Sequence, residues 1–573
     1  MNTIIKYSTI LLIAASISQV LLKAQPLADE IIFKAMNDEL SRNISNLVID
    51  KYRPPFFISF RLCDFHSLYI KATLGAIRYS YDRPARTENV RLMVGDYSLN
   101  DENFISDNRN IPPTRGNYIR LPLNSDYDAI RRSFWILSDQ VYKSALEKYE
   151  QKQTALKQQN KSDEEKLDDY SKITPVSLVL QRSSFSYDKT KWEEIAKNVS
   201  GIFKAYNQIH ASSTYITLVN AFVYVTTSEG TKLKIPFTLA WVLVTATTQA
   251  EDGENLNDQL SYYALTPEQL PSADKIEQDC NRFANDLIAL RNAPPMKETY
   301  TGPIIFEGEA VAEVFSQRLF RTNGLISSRE PIYAIENKNQ GSSNKLDDKL
   351  NQKICSENIN IKATPKITMF NNTHLIGSFE IDAEGVIPQD ELVLVDKGIL
   401  KTLLTDRVPT SKIKQSNGYS RFGLRGSSVI TQKAPGIINI SYENGEPLKS
   451  LYKTILNEAE KNGLEYIYVI RKLEPAGNKA ISKPMGVYKL FVKTGEEHFM
   501  RSAIISDLPR TAFKQIALGT KEQFVYNTLL NSSVPVSFIV PQAIVFNDMS
   551  IEKDKSTKAK VPIVSNPLLV QKQ

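Results

Sequence analysis

Residues 303–320 read PIIFEGEAVAEVFSQRLF. The apolar run Ile304-Ile305-Phe306 stops at Glu307-Gly308. The segment that follows spaces Glu309, Glu313 and Gln317 four residues apart, with Val311, Val314, Phe315 and Leu319 recurring between them. That spacing predicts a strand that hands over to a helix at a glycine, the apolar positions packing inward. The polar stripe has three readings: a metal-binding helix, an acid/base pair, or the solvated side of a packed helix.

Working outward, LADEIIFKAMNDELSRNI (27–44) has helical periodicity, and FFISFRLCDFHSLYIKATLGAIRYSY (56–81) reads as consecutive strands. Asp126 to Lys148 is a predicted helix running into the charged, Gln-rich stretch 149–170, a solvated helix or connector over about 140–172. A strand-rich tract covers 214–249, with a hairpin turn at Ser228-Glu229-Gly230. Thr266 to Ala293 is helical, and Pro294-Pro295 closes it, which sets the main boundary between an N-terminal region 25–295 and a C-terminal domain 296–573. Residues 336–353, poor in large apolar groups, are expected to be a mobile loop. Strands and turns at Glu384-Gly385, Lys397-Gly398 and Asn417-Gly418 follow, with helices at Tyr452–Asn462 and Thr511–Ile516. VPVSFIVPQAIVFNDMSI (534–551) reads as a late strand pair, and the tail from about Glu552 is polar. The fold class expected is α+β, two-part, with extensive antiparallel sheet and flanking helices.

Composition excludes more than it specifies. The 573 residues are 42% hydrophobic and 23% charged, with a net charge of +6. Without a Lys/Arg stripe interleaved with aromatics, no nucleic-acid partner is expected. MNTIIKYSTILLIAASISQVLLKAQ has a short basic start, then an apolar Ile10–Leu22 stretch, and predicts an export signal cleaved after Ala24. Nothing beyond it is long enough to span a bilayer, so the expectation is a periplasmic or extracellular protein. Cys63, Cys280 and Cys355 form no CxxC and read as free thiols, although one pair could form a disulfide outside the cytoplasm. His66, His210, His374 and His498 are too scattered for two to share a helix face. There is no GxSxG elbow, GxGxxG, Walker A or EF-hand loop.

The quoted stretch resembles the strand and helix that carry HExxxH in the TldD/PmbA family of modulator-of-gyrase peptidases. LIGSFEIDAEGVIPQDELVLVDKGILKTLLTDRVPT, SNGYSRFGLRG, PGIINISYENGEPLKSL, YITLVNAFVYVTTSEGTKLKIP and CDFHSLYIKATLGAIRYSYDRPARTENVRLMVGDYSLND are similar to segments of the family's secreted branch, in the same order. The resemblance implies a fold in which two helix histidines and a C-terminal cysteine hold zinc while the glutamate after the first histidine acts as general base. Carried onto this chain, the first His position is Gly308, the base position Glu309 and the second His position Glu313, and no cysteine lies beyond Cys355. No metal or cofactor is therefore expected. Glu309 retains the base position without a metal-activated water, and Glu313 and Gln317 either face solvent or line a peptide groove. The family also contains metal-less PmbA-type subunits that associate with metal-bearing TldD-type ones. The resemblance thus implies a homodimer or a heterodimer with such a paralogue, holding peptide or unfolded-protein substrates. The alternatives are an active metallopeptidase with an unrecognised ligand set, and a non-enzymatic envelope scaffold.

Overall fold

Strand alternation organises the N-terminal half. The computed structural model describes residues 28–49, 51–106, 119–158, 167–180, 185–321, 324–334, 346–426, 428–474, 481, 483–505, 508–555 and 560–561. Two long hairpins, Pro55–Thr73 with Ala76–Val94 and Ile209–Thr227 with Lys232–Gln249, pair antiparallel through Pro55–Thr73 and Ile209–Thr227. The first hairpin turns at Leu74-Gly75, both with positive φ (47° and 75°), the backbone a two-residue turn between twisted strands requires. Asn255–Ala264 extends this seven-stranded sheet along Lys232–Gln249.

Side-chain parity then decides which face meets what. Ile58, Phe60, Leu62, Phe222 and Tyr224 pack under α1 (28–46) and α2 (Tyr127–Gln158). Further along the same face, Leu68, Ile70, Ile216, Leu218, Val242 and Val244 pack under α3 (Lys189–Gly201) and α4 (Ala273–Asn292). The opposite parity, Cys63, Phe65, Val219, Val223 and Leu239, packs on Ile381, Ala383, Phe422, Leu424 and Val429 of the C-terminal half. One sheet thus has its own helices on one side and the rest of the chain on the other.

The C-terminal half holds two larger sheets. One is six-stranded, running Ile399–Leu400, Leu392–Asp396, Ile359–Ala363, Ile437–Tyr442, Val534–Pro541, Gln523–Leu530. The other is seven-stranded and centred on Tyr466–Leu473, Tyr300–Glu307 and Ala543–Lys553. α5 (Glu309–Leu319) lies between the two, and α6 (Leu448–Lys461) covers the outer face of the second. Ile304 and Phe306 accordingly belong to the inner core around α5, while Ile305 faces α6. The architecture is α+β with extensive antiparallel sheet, although Tyr300–Glu307 with Tyr466–Leu473 and Ile437–Tyr442 with Val534–Pro541 are parallel.

Several expectations need correction. The late strand pair is no hairpin: Val534–Pro541 and Ala543–Lys553 join different sheets, and the chain crosses between them at Gln542. The helix predicted from Asp126 continues into the charged stretch as far as Gln158, the helical one of the two readings of that stretch, but its charged end is not uniformly solvated. Lys152 is fully buried, donating to Asp169 Oδ2 (2.5 Å) and to the Asn100 carbonyl (2.9 Å), so a partner distant in the chain replaces water. Within the expected mobile loop, residues 336–345 lie outside the described residues, and Leu346–Lys349 forms a 3-10 turn with Leu346 and Asp347 buried. Thr511–Ile516 is likewise a 3-10 helix, Arg510–Gln515. The export signal (1–24), part of the connector (159–166) and most of the tail also lie outside the described residues. No described helix is long and apolar enough to cross a membrane.

Candidate functional site

The junction read first in the sequence is built around one backbone conformation. Gly308, between the Tyr300–Glu307 strand and α5, has φ 62° and ψ −127°, a region closed to ordinary L-residues. Its amide donates to the Gln542 carbonyl (2.8 Å), which fixes the turn against the neighbouring strand. A Cβ placed there would meet nothing within 4 Å, so conformation and not space excludes a side chain.

α5 is enclosed almost all round. Ala310, Val311, Ala312, Val314, Phe315 and Leu319 are buried, as the periodicity predicts, and Phe315 packs edge-on against Phe513 at 5.1 Å. The polar stripe is not the solvated face it resembles, because Glu313 is 8% exposed, Gln317 3%, and Glu309 is partly buried. Two donors make this burial tolerable. Tyr526 Oη donates to Glu313 Oε1 (2.5 Å) and Gln317 Nε2 donates to Glu313 Oε2 (2.8 Å). Tyr526 comes from Gln523–Leu530, the edge strand of the six-stranded sheet.

Electrostatically the pair favours protons. Burial pushes the Glu309 carboxyl up to about 7, with Glu313 and Asp258 adding to the shift and Lys472 opposing it. Burial also raises Glu313, against the two hydrogen bonds and Arg321. Tyr526 is held well above the ordinary phenol range by burial and by the two carboxylates. Lys472 Nζ bridges Asp258 Oδ1 (2.7 Å) and the Gln259 carbonyl (2.8 Å) on Asn255–Ala264, the edge of the N-terminal sheet, and Glu313 also raises the Tyr263 phenol of that strand. Two sheet edges from the two halves of the chain therefore meet beside these carboxylates.

Of the residues singled out from sequence, Glu309, Glu313 and Gln317 are brought together. The histidines are not: His66 pairs with Asp82 (2.9 Å) on the N-terminal sheet, and His210, His374 and His498 are exposed on other strands. Cys63, Cys280 and Cys355 are free and buried, and burial pushes their thiols up to about 11, 12 and 12. Tyr526, Tyr263, Lys472 and Asp258 were not legible as site residues, since each is an ordinary strand position with no local motif.

The donor set does not fit zinc. Both Glu313 oxygens already accept hydrogen bonds, Glu309 favours its proton near neutrality, and no group of three or more His, Cys, Asp or Glu poised to hold a metal occurs among the described residues. Zinc favours imidazole and thiolate over two buried carboxyls.

With that geometry in hand, similarity to known proteins becomes informative. Residues 297–553 match the family model of the PmbA/TldA metallopeptidase C-terminal domain. A candidate modulator of a DNA gyrase from Thermotoga maritima shares the fold at TM-score 0.56 and 13% identity, over 90% of this chain and 99% of its own. TldE from Thermococcus kodakarensis does so at TM-score 0.53 and 15% identity, over 90% and 100%. A candidate modulator of DNA gyrase from Bacteroides thetaiotaomicron gives 0.56 and 13%, over 92% and 98%. No curated protein matches the chain. Residues 297–553 thus match the PmbA/TldA metallopeptidase C-terminal domain model, and the chain as a whole shares the fold of TldE and these modulators.

Proposed function

We propose that this chain is an exported, metal-less relative of TldD/PmbA peptidases that holds extended peptides, as a homodimer or beside a metal-bearing TldD-type paralogue. The observation that carries this reading is the sealing of Glu313. At the position of the family's second metal histidine stands a carboxylate whose two oxygens are occupied by Tyr526 and Gln317, five residues after a glycine whose backbone excludes the first. Glu309 keeps the base position but has no metal-bound water to act on. Water free in solution has a pKa of about 15.7, against about 7 on zinc, and a carboxyl titrating near neutrality does not close that gap.

Peptide holding draws its support from the two sheet edges beside the carboxylates. Among the described residues, Asn255–Ala264 and Gln523–Leu530 each have one side unpaired in their sheets, and an extended chain adds to such an edge through backbone hydrogen bonds, with no metal needed. The test is fluorescence anisotropy with labelled unfolded peptides, with and without chelator, alongside a cleavage assay. Chelator-insensitive binding without cleavage is expected. Chelator-sensitive cleavage would replace this reading with an active metallopeptidase, and no binding to any peptide would favour an envelope scaffold.

A further inference from the structure

A cavity of about 240 Å³ lies between the N-terminal sheet and the C-terminal half, with apolar walls from Phe237, Phe379, Phe422 and Pro535 and with the carboxylates Glu380 and Asp382 also on its lining. Arg421, on the Ser420–Arg425 strand, lines it and is 6% exposed. Four other buried arginines are matched with carboxylates, Arg86 with Asp64, Arg91 with Glu102 and Glu384, Arg407 with Glu229 and Arg501 with Glu254, and Arg61 donates to Asn89 Oδ1. Arg421 has no such match. Among the described residues its guanidinium makes no side-chain hydrogen bond and no ion pair, and its buried Nε is without a partner.

Two contacts define how the group is held. The guanidinium carbon sits 3.7 Å from the centroid of the Phe379 ring, a cation–π stack that orients the planar fork. The nearby Asp382 is engaged elsewhere: its Oδ1 accepts from the amides of Glu384 (2.9 Å) and Val386 (2.8 Å), and its Oδ2 from that of Ser420 (3.1 Å). Tyr419 and then Asp382 add a field at Arg421 without capping it, and burial outweighs both, pushing the guanidinium down to about 9. An uncompensated buried cation is among the costliest arrangements a fold can keep. Without a direct ion pair, oriented by an aromatic ring and lining a hollow of mixed apolar and polar groups, it has the composition of a recognition site and not of a structural ion pair.

We propose that this cavity is a carboxylate-binding pocket, in which the Arg421 fork takes a carboxylate and the Phe237, Phe379 and Phe422 walls take the apolar group next to it. The hollow is smaller than the roughly 300–1,000 Å³ of typical small-molecule sites. It suits one end residue or one acidic side chain rather than a whole cofactor. The proposal stands on Arg421 and its surroundings and does not depend on the peptide-holding role of the α5 site.

The experiment uses the full chain and two small probes, N-acetyl-leucine and N-acetyl-leucinamide, titrated calorimetrically near neutral pH. The acid is expected to bind at least about tenfold more tightly than the amide, the worth of a charge-assisted pair. Arg421→Met is expected to abolish that preference while keeping or raising the unfolding midpoint, because it removes a desolvated charge with no partner. Arg421→Lys, which keeps the charge and loses the fork, is expected to weaken acid binding about fivefold or more. Two short peptides then separate the sources. Tighter binding of a free-carboxyl peptide than its C-terminal amide supports a chain terminus, and binding of an amidated peptide through an internal glutamate supports an acidic side chain. Equal binding of acid and amide, absence of binding by either, or acid binding unchanged in Arg421→Met would overturn the proposal. A large loss of stability in Arg421→Met would overturn it too, by making the arginine structural.

Discussion

Replacing Glu309 with glutamine removes one titrating group from a crowded pair and leaves its shape almost unchanged. The Glu309 carboxyl moves from an ordinary value of 4.5 up to about 7, chiefly through burial. Over that interval the native state holds a proton that the unfolded chain has released. The contribution of the group to stability is therefore fully present below about pH 4.5, falls as pH rises toward about 7, and is flat above. At 1.36 kcal/mol per pH unit the interval between 4.5 and about 7 corresponds to roughly 3 kcal/mol, reduced to about 2 kcal/mol because the side chain is partly reached by solvent. Glu309→Gln should match the wild type at about pH 4.5 and exceed its stability by about 2 kcal/mol at pH 8. Denaturant unfolding of both proteins across that range gives the difference directly. The difference is the needed quantity, because Glu88 and Asp382, also pushed up to about 7, shape the wild-type curve. A gap that does not vary with pH, or a glutamine variant less stable at pH 8, would refute the reasoning by showing Glu309 ionised and well satisfied.

Other perturbations probe the same site and its frame. Tyr526→Phe leaves buried Glu313 with Gln317 as its remaining hydrogen-bond donor of the two, and should cost about 1–3 kcal/mol at pH 8, read by the same unfolding experiment. Gly308→His restores a metal ligand by type but forces an L-residue to φ 62°, so a stability loss of about 1–3 kcal/mol without zinc uptake is expected from thermal melts and metal analysis. Lys152→Met removes one partner of buried Asp169, which keeps Arg329 (3.0 Å) and the Asn100 amide (2.9 Å), and should cost about 1–3 kcal/mol in chemical unfolding.

What the sequence makes legible is local. The β-branched alternation of 56–81 and 214–249 predicts the long hairpins, and the parity of those residues assigns their faces. The strand, glycine and helix of 303–320 appear as read, down to the inward Val311, Val314, Phe315 and Leu319. The environment of the polar stripe is not local. A four-residue spacing of Glu309, Glu313 and Gln317 looks the same whether water or Tyr526 satisfies the carboxylates, and Tyr526 lies 213 positions away from Glu313. The same holds for Lys152, whose neighbours in sequence are all polar while its partner arrives from the far side of the connector. The split of 534–551 between two sheets depends on which strand each segment finds, and an apolar run carries no record of its partner. Arg421 shows the limit most clearly, since nothing in its own stretch tells that nearby Asp382 is engaged by backbone amides and makes no ion pair with it.

The most direct test of the central claim is the metal content of the purified full chain, measured by elemental analysis after growth and purification without chelator and again after dialysis against excess zinc. A Glu313 carboxylate sealed by Tyr526 and Gln317, one helical turn after Glu309 and behind a glycine turn, predicts zinc far below one ion per chain in both samples. One tightly held ion per chain, lost in the Glu309→Gln or Glu313→Gln variants, would contradict the account.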